Sequence, residues 1–257
     1  MNFNPNLFVK NQNESKDGFL ADKVAGKQSL GEGVYARVRE VLVKKGNHEK
    51  TFALKDYKTK SNLENAKLLA TNAFNHYLRA KESGLKVVPT LRISDDSTEL
   101  LTTLLTNENI SLIDSGSSKK WGNAPLIQDI DNIREITEQL VENAIKASDA
   151  EIVVSGDAYA FVIDNNKISH LNFFLFDFDL VESIEELGSY YDNILEGNLK
   201  NAHFAFKNFV YHCIPEENRE EIKQKFDIDF NSLVSKINKD KYMINYSSAG
   251  RGLQPRP

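Results

Sequence analysis

The chain is poor in the residues that build covalent or metal frameworks. Cys213 is its only cysteine in 257 residues. One thiol excludes an intramolecular disulfide framework and a cysteine-based zinc site, and it fits a reducing compartment. The five histidines, His48, His76, His170, His203 and His212, show neither HxH nor HExxH spacing. His203 and His212 are expected to decorate a helix rather than to bind metal. No run approaches the roughly 18 apolar residues that span a bilayer. The opening "MNFNPNLFVKNQNESKDG" has neither the basic start nor the apolar stretch of a signal peptide, so a soluble, cytoplasmic protein is expected. An excess of positive charge is also missing. The 32 Lys and Arg face 37 Asp and Glu, for a net charge of −5, which argues against general nucleic-acid affinity because a phosphate backbone is held by clustered cations.

What is present is a substantial core. Residues of hydrophobic type make up 40% of the chain, enough for one large domain or two lobes that share a cleft. Residues 1–22 are Asn-rich and polar, and read as an arm, mobile or docked on a partner. From Asp22 to Lys58 the pattern alternates: "VYARVREVLVKK", a polar "GNHEK" turn, then "TFALKDYK". Alternation with period two predicts paired strands. Residues 62–82 carry Leu63, Ala66, Leu69, Ala70, Ala73, Phe74, Tyr77 and Leu78 at helical spacing, with Gly84 as the C-terminal cap. "VVPTLRI" and "ELLTTLLT" read as strands, and 106–131 as a connection between lobes. "DNIREITEQLVENAIKASDA" is an amphipathic helix capped at Asp131 or Asn132. "EIVVSG", "YAFVID" and "ISHLNFFLFDFDLV" read as strands, followed by helices over 183–196, 199–213 and, in two pieces, 216–237. The order predicts an α+β chain of two lobes: a β-rich one at 23–108, a largely helical one at 109–243, and a tail at 244–257.

The same order of elements, together with four motifs, resembles the protein-kinase-like fold, including its small atypical members. Gly31, Gly33 and Val38 match the glycine-rich loop of that family, with Ala36 where its third glycine stands. "FALK" places Lys55 at the family's strand lysine, and "LFDFDLV" resembles its metal-binding motif, with Asp177 as the magnesium ligand and Phe178 as its packing residue. Asp157 in "SGDAYAFV" stands where the catalytic aspartate would. The resemblance implies ATP and Mg as cofactors. Glycine backbone and an ammonium would receive the phosphates, Asp177 the metal, and Asp157 the acceptor proton.

The pattern also departs from the family. Ser155 replaces the expected His, Val162 sits where an Asn is expected five residues after Asp157, and "AFVID" starts early enough to shorten the loop. Asn172 and Asp179 are candidate substitutes for the second metal ligand. The usual spacing of the lysine's glutamate partner lands near Phe74, and Glu64 lies two turns earlier. Three functions follow. One is an active kinase acting on a small molecule or a protein. Another is a pseudokinase that serves as a binding scaffold, with its partner met through the arm or the tail "AGRGLQPRP". The third is a structural or assembly protein of bacterial or viral origin in which the motifs are coincidental.

Overall fold

The computed structural model describes residues 22–32, 35–45, 48–92, 97–104, 110–114, 120–121, 126–183 and 193–243. Gly33, residues 1–21 of the arm, residues 184–192 of the helix expected over 183–196, and the tail lie outside these residues. The chain divides into two units, Met1–Tyr77 with Val88–Leu104, and Leu78–Val87 with Leu105–Pro257. The N-terminal region is rich in sheet and the C-terminal region in helix, an α+β arrangement compatible with two lobes.

The first unit holds a five-stranded antiparallel sheet in the order β1-β2-β3-β5-β4. Its strands are β1 (Asp22–Glu32), β2 (Arg37–Lys45), β3 (His48–Asp56), β4 (Thr90–Arg92) and β5 (Glu99–Thr103). Alternation sorts the side chains onto two faces. Val41, Val43, Phe52, Leu54 and Leu101 form a buried cluster on one of them. At about 1.5–3 kcal/mol for each fully buried apolar side chain, this face alone fixes the register. The other face carries a cross-strand row in which Gly31 pairs Val38, Val38 pairs Lys55, Lys55 pairs Leu100 and Leu100 pairs Arg92.

Helix α1 (Leu63–Glu82) follows β3. Asn62 caps it by accepting from the Asn65 N–H at 3.0 Å. Its buried stripe is Ala66, Ala70, Ala73, Tyr77 and Ala80. The Arg92 guanidinium donates to Thr71 Oγ1 at 2.9 Å, which sets α1 on the same side of the sheet as Lys55. Gly84 ends the helix at φ 73°, the left-handed conformation that favours glycine. The run "VVPTLRI" yields a strand only at Thr90–Arg92. Pro89 has no N–H to give a ladder, and Val87 instead bridges Leu175.

The second unit contains more sheet than its composition suggests. β6 (Ile110–Asp114) and β7 (Lys120–Trp121) extend the hairpin of β9 (Tyr159–Asp164) and β10 (Lys167–Leu175) into a four-stranded sheet, β10-β9-β6-β7. The stretch 106–131 is therefore not a plain connection. "ISLID" is apolar at Ile110, Leu112 and Ile113, and Ile113 is buried. A separate pair joins β8 (Ile152–Val154) to β11 (Val181–Ser183).

Among the described residues, three helices support these sheets: α2 (Ile133–Asp149), α3 (Ile194–Cys213) and α4 (Glu216–Val234). The last is one helix rather than two pieces. No Gly or Pro interrupts it, and Phe226 stacks on Phe206 of α3 at 4.0 Å between centroids. Asn132 occupies the N-cap position of α2 without a capping side-chain bond. Its amide instead donates to the Leu171 carbonyl and accepts from the Leu171 N–H, locking α2 to β10. Phe161 sits at the centre of the core, within 4.7–6.5 Å of the Phe173, Phe206 and Phe209 rings.

Candidate functional site

In the second unit, two short turns carry the carboxylates singled out from sequence. β8 leads through Ser155 into a 3-10 turn, Gly156–Ala158, and β9 begins at Tyr159. The connection is as short as the sequence implies, with no room for an asparagine before the strand starts. β10 stops at Leu175, and Asp177 caps a second 3-10 turn, Phe178–Leu180, by accepting from the Asp179 N–H at 3.2 Å. Asp177 and Asp179 thus belong to a capped turn rather than to the exposed face of a strand, and Phe178 is buried beneath them.

The two turns are neighbours. Phe176 N–H donates to the Ala158 carbonyl at 3.1 Å, and Val181 pairs with Val154 beyond them. Asp157 and Asp177 each stand one residue from that Phe176–Ala158 bond. Asp157 is exposed and Asp177 half-buried.

The Asp157 turn is held from below by α3. Asn198, fully buried, accepts from the Val154 N–H at 2.9 Å and donates to the Ile152 carbonyl and to Ser148 Oγ. Asn201 donates to the Val154 carbonyl at 2.9 Å. A Cβ at Gly156 would meet the Phe204 ring at 2.6 Å and the Asn201 carbonyl oxygen at 3.1 Å, so the turn and the helix approach as closely as only a glycine allows. Sequence reading missed Asn198 and Phe204. The available signal was an amide on the buried stripe of an amphipathic helix, spaced with Leu195 and Ala202.

The strand that carries Asp177 is fixed by a second device, Lys86. Its ammonium donates to Gln139 Oε1 and Asn172 Oδ1, both at 2.6 Å, and lies over the Phe173 and Phe174 rings. Its backbone carbonyl accepts from the Leu175 N–H at 2.7 Å. Asn172 is thereby engaged by Lys86. It pairs with Val162, three positions or about 10 Å back along β10 from Leu175, which sets it away from the turn and unsuited as a second metal ligand.

Burial lowers the Lys86 pKa from its ordinary value, and Glu135 and Glu142 oppose that shift. A lysine with a lowered folded pKa binds fewer protons folded than unfolded as pH approaches its ordinary value. Its contribution to stability therefore rises with pH in that window. Lys86→Met is expected to destabilise by about 1–2 kcal/mol through its lost hydrogen bonds. Urea titrations at pH 8 and pH 10 are expected to give a larger deficit at the higher pH. A deficit that shrinks with pH would contradict the assignment.

In the first unit, Lys55 lies on β3 with Val38 and Leu100 as its cross-strand neighbours, and its ammonium is 5.6 Å from the Tyr57 ring centroid. Gly31 pairs with Val38, so Gly31, Val38 and Lys55 share one face of the sheet. Glu32 forms ion pairs with Lys60 and Arg37, and the hydrogen bond from Lys60 holds its carboxyl below the usual range. Glu64 and Glu82, the two carboxylates of α1, are both exposed.

Among the described residues, no three His, Cys, Asp or Glu side chains are grouped to hold a metal ion. One or two carboxylate oxygens remain a fitting donor set for magnesium, which retains waters and takes phosphate oxygens for its other positions. Among the described residues, too, no helix is long and apolar enough to cross a membrane. No protein-family model matches the sequence, and no curated protein matches it.

Proposed function

We propose that the chain is a divergent kinase-like phosphotransferase that binds ATP with magnesium and transfers the γ-phosphoryl group to a hydroxyl acceptor. The observation that carries this proposal is the meeting of the Asp157 and Asp177 turns across the Phe176–Ala158 hydrogen bond. Two further features support it: Lys55 stands on the third strand of an antiparallel sheet, and a helix separates that strand from the fourth.

The roles follow from chemistry. Gly31 and Gly33 allow backbone N–H groups to approach phosphate oxygens, Val38 flanks the base, and the Lys55 ammonium neutralises phosphate charge. Asp177 holds magnesium, which would draw charge from the β- and γ-phosphate oxygens. Asp157 orients the acceptor hydroxyl and takes its proton as the new P–O bond forms and the bond to ADP breaks.

Thermal unfolding with and without MgATP tests the binding. At a ligand concentration of about 100 Kd, the native state gains roughly 2.7 kcal/mol, and Tm is expected to rise by about 5–10 °C. Lys55→Ala and Asp177→Ala are each expected to remove most of that rise. Wild-type Tm unmoved by MgATP would defeat the proposal and favour an assembly role. A second reading, a nucleotide-binding scaffold without transfer, draws on the three-residue Asp157 turn. It requires the Tm rise with no phosphorylated product.

A further inference from the structure

Lys55 is the second-last residue of β3, and Tyr57 opens the 3-10 turn that follows, Tyr57–Thr59. The Lys55 ammonium lies over the Tyr57 ring, 5.6 Å from its centroid. That is inside the roughly 6 Å at which the face of an aromatic ring attracts a cation. Both residues belong to the first unit.

The ring is a fixed platform. Tyr57 is fully buried, so packing sets its rotamer. Its N–H donates to the Thr98 carbonyl at 3.1 Å, and its carbonyl accepts from the Lys60 N–H at 3.2 Å. Asp56 ties the turn twice more: its carboxylate accepts from the Lys58 N–H at 3.0 Å, and its carbonyl accepts from the Thr59 hydroxyl at 2.9 Å. The lysine is different. Its side chain carries some of the highest rotamer entropy of any residue, and ordering it is correspondingly costly. Lys55 is half-buried between its cross-strand neighbours Val38 and Leu100. In such a partly desolvated setting a ring face holds a cation more strongly than at an exposed site.

We propose that Tyr57 is a positioning residue for Lys55, its ring face holding the ammonium in order before a phosphate group arrives. The consequence for binding rests on the nucleotide reading above. A phosphate then meets a lysine whose torsions are already set, so binding loses less free energy to ordering it. The choice of an aromatic ring matters. A carboxylate would order the ammonium and also neutralise it, whereas a ring is uncharged and leaves the full positive charge for the phosphate oxygens.

Two measurements on the full chain test this. In NMR spectra of protein labelled at the lysine ε-carbons, the Lys55 ε-methylene signal is assigned by its loss in Lys55→Arg. The ring current of Tyr57 is expected to displace it upfield of the exposed Lys58 signal, and Tyr57→Phe is expected to keep that displacement. A Lys55 signal at the Lys58 position would overturn the proposal. In calorimetric titrations with MgATP, Tyr57→Phe is expected to hold Kd within about twofold of wild type. The same substitution with a pentafluorinated ring, alike in shape but with the charge distribution of its face reversed, is expected to weaken binding about threefold to tenfold. Both rings fill one buried position, so a purely structural role leaves their Kd values equal. Equal values would overturn the positioning role and leave nucleotide binding standing. Wild-type protein that does not bind MgATP would overturn both, while the lysine spectra still decide whether the ring holds the ammonium.

Discussion

Asn198→Leu is expected to cost about 3–5 kcal/mol, because two buried backbone groups lose their partners in one substitution. Asn198 is wholly buried and joins three elements: Ser148 at the end of α2, and Ile152 and Val154 at either end of β8. Leucine has similar bulk but neither donates nor accepts, so the Val154 N–H and the Ile152 carbonyl remain desolvated and unbonded at those positions. Against a typical total stability of about 5–15 kcal/mol, such a loss is a large share of the whole. Asn201→Ala is the natural comparison. Asn201 is only half-buried and makes one such bond, to the Val154 carbonyl, so a loss of about 1 kcal/mol is expected. Urea denaturation of both variants gives the ratio. Equal losses, or an Asn198→Leu loss under about 1 kcal/mol, would show that α3 does not hold the turn in this way.

Asp157→Asn is expected to lower phosphoryl transfer by about 10²–10⁴-fold, the range that a positioned general base supplies. The substitution is isosteric. The asparagine side chain still accepts a hydrogen bond from an acceptor hydroxyl, but it does not take its proton. Asp157 is exposed and its backbone N–H donates to Ser155 Oγ at 3.4 Å, so the turn itself survives the change. The MgATP-induced rise in Tm is accordingly expected to persist, which separates loss of chemistry from loss of binding. Transfer retained above half of the wild-type rate would remove Asp157 from the reaction.

The parts of the fold that showed in the sequence are those written in local periodicity. "VREVLVKK" and "TFALKD" alternate because one sheet face packs Val41, Val43, Phe52 and Leu54 together. The small-residue stripe of α1 and the glycine that ends it are equally local. Asp177 also stood out, because a carboxylate among phenylalanines requires a partner, and the structure gives its Oδ1 the Asp179 N–H. What stayed hidden depends on distant chain. Lys86 looks like any surface lysine until Gln139 and Asn172, 53 and 86 residues away, close on it. Asn198 looks like a surface amide until β8 lies against it. β6 and β7 are five and two residues long, too short for alternation to separate them from a polar connection, and β9 supplies the neighbour that makes β6 a strand.

The antiparallel pairing of β8 with β11 has a consequence for the order of folding. Residues 152–183 contain both carboxylates, and the widest pairing between those two strands, Ile152 with Ser183, spans 31 residues. The β9–β10 hairpin nested inside closes shorter loops still. Loop-closure entropy grows with the length enclosed, and low contact order goes with fast formation. The two turns are thus brought side by side by some of the cheapest closures in the second unit, ahead of the 86-residue closure that Lys86 makes. Amide exchange on a refolding timescale is expected to protect Ala160 and Phe174, opposite each other in the β9–β10 hairpin, before Leu175, whose N–H waits for the Lys86 carbonyl.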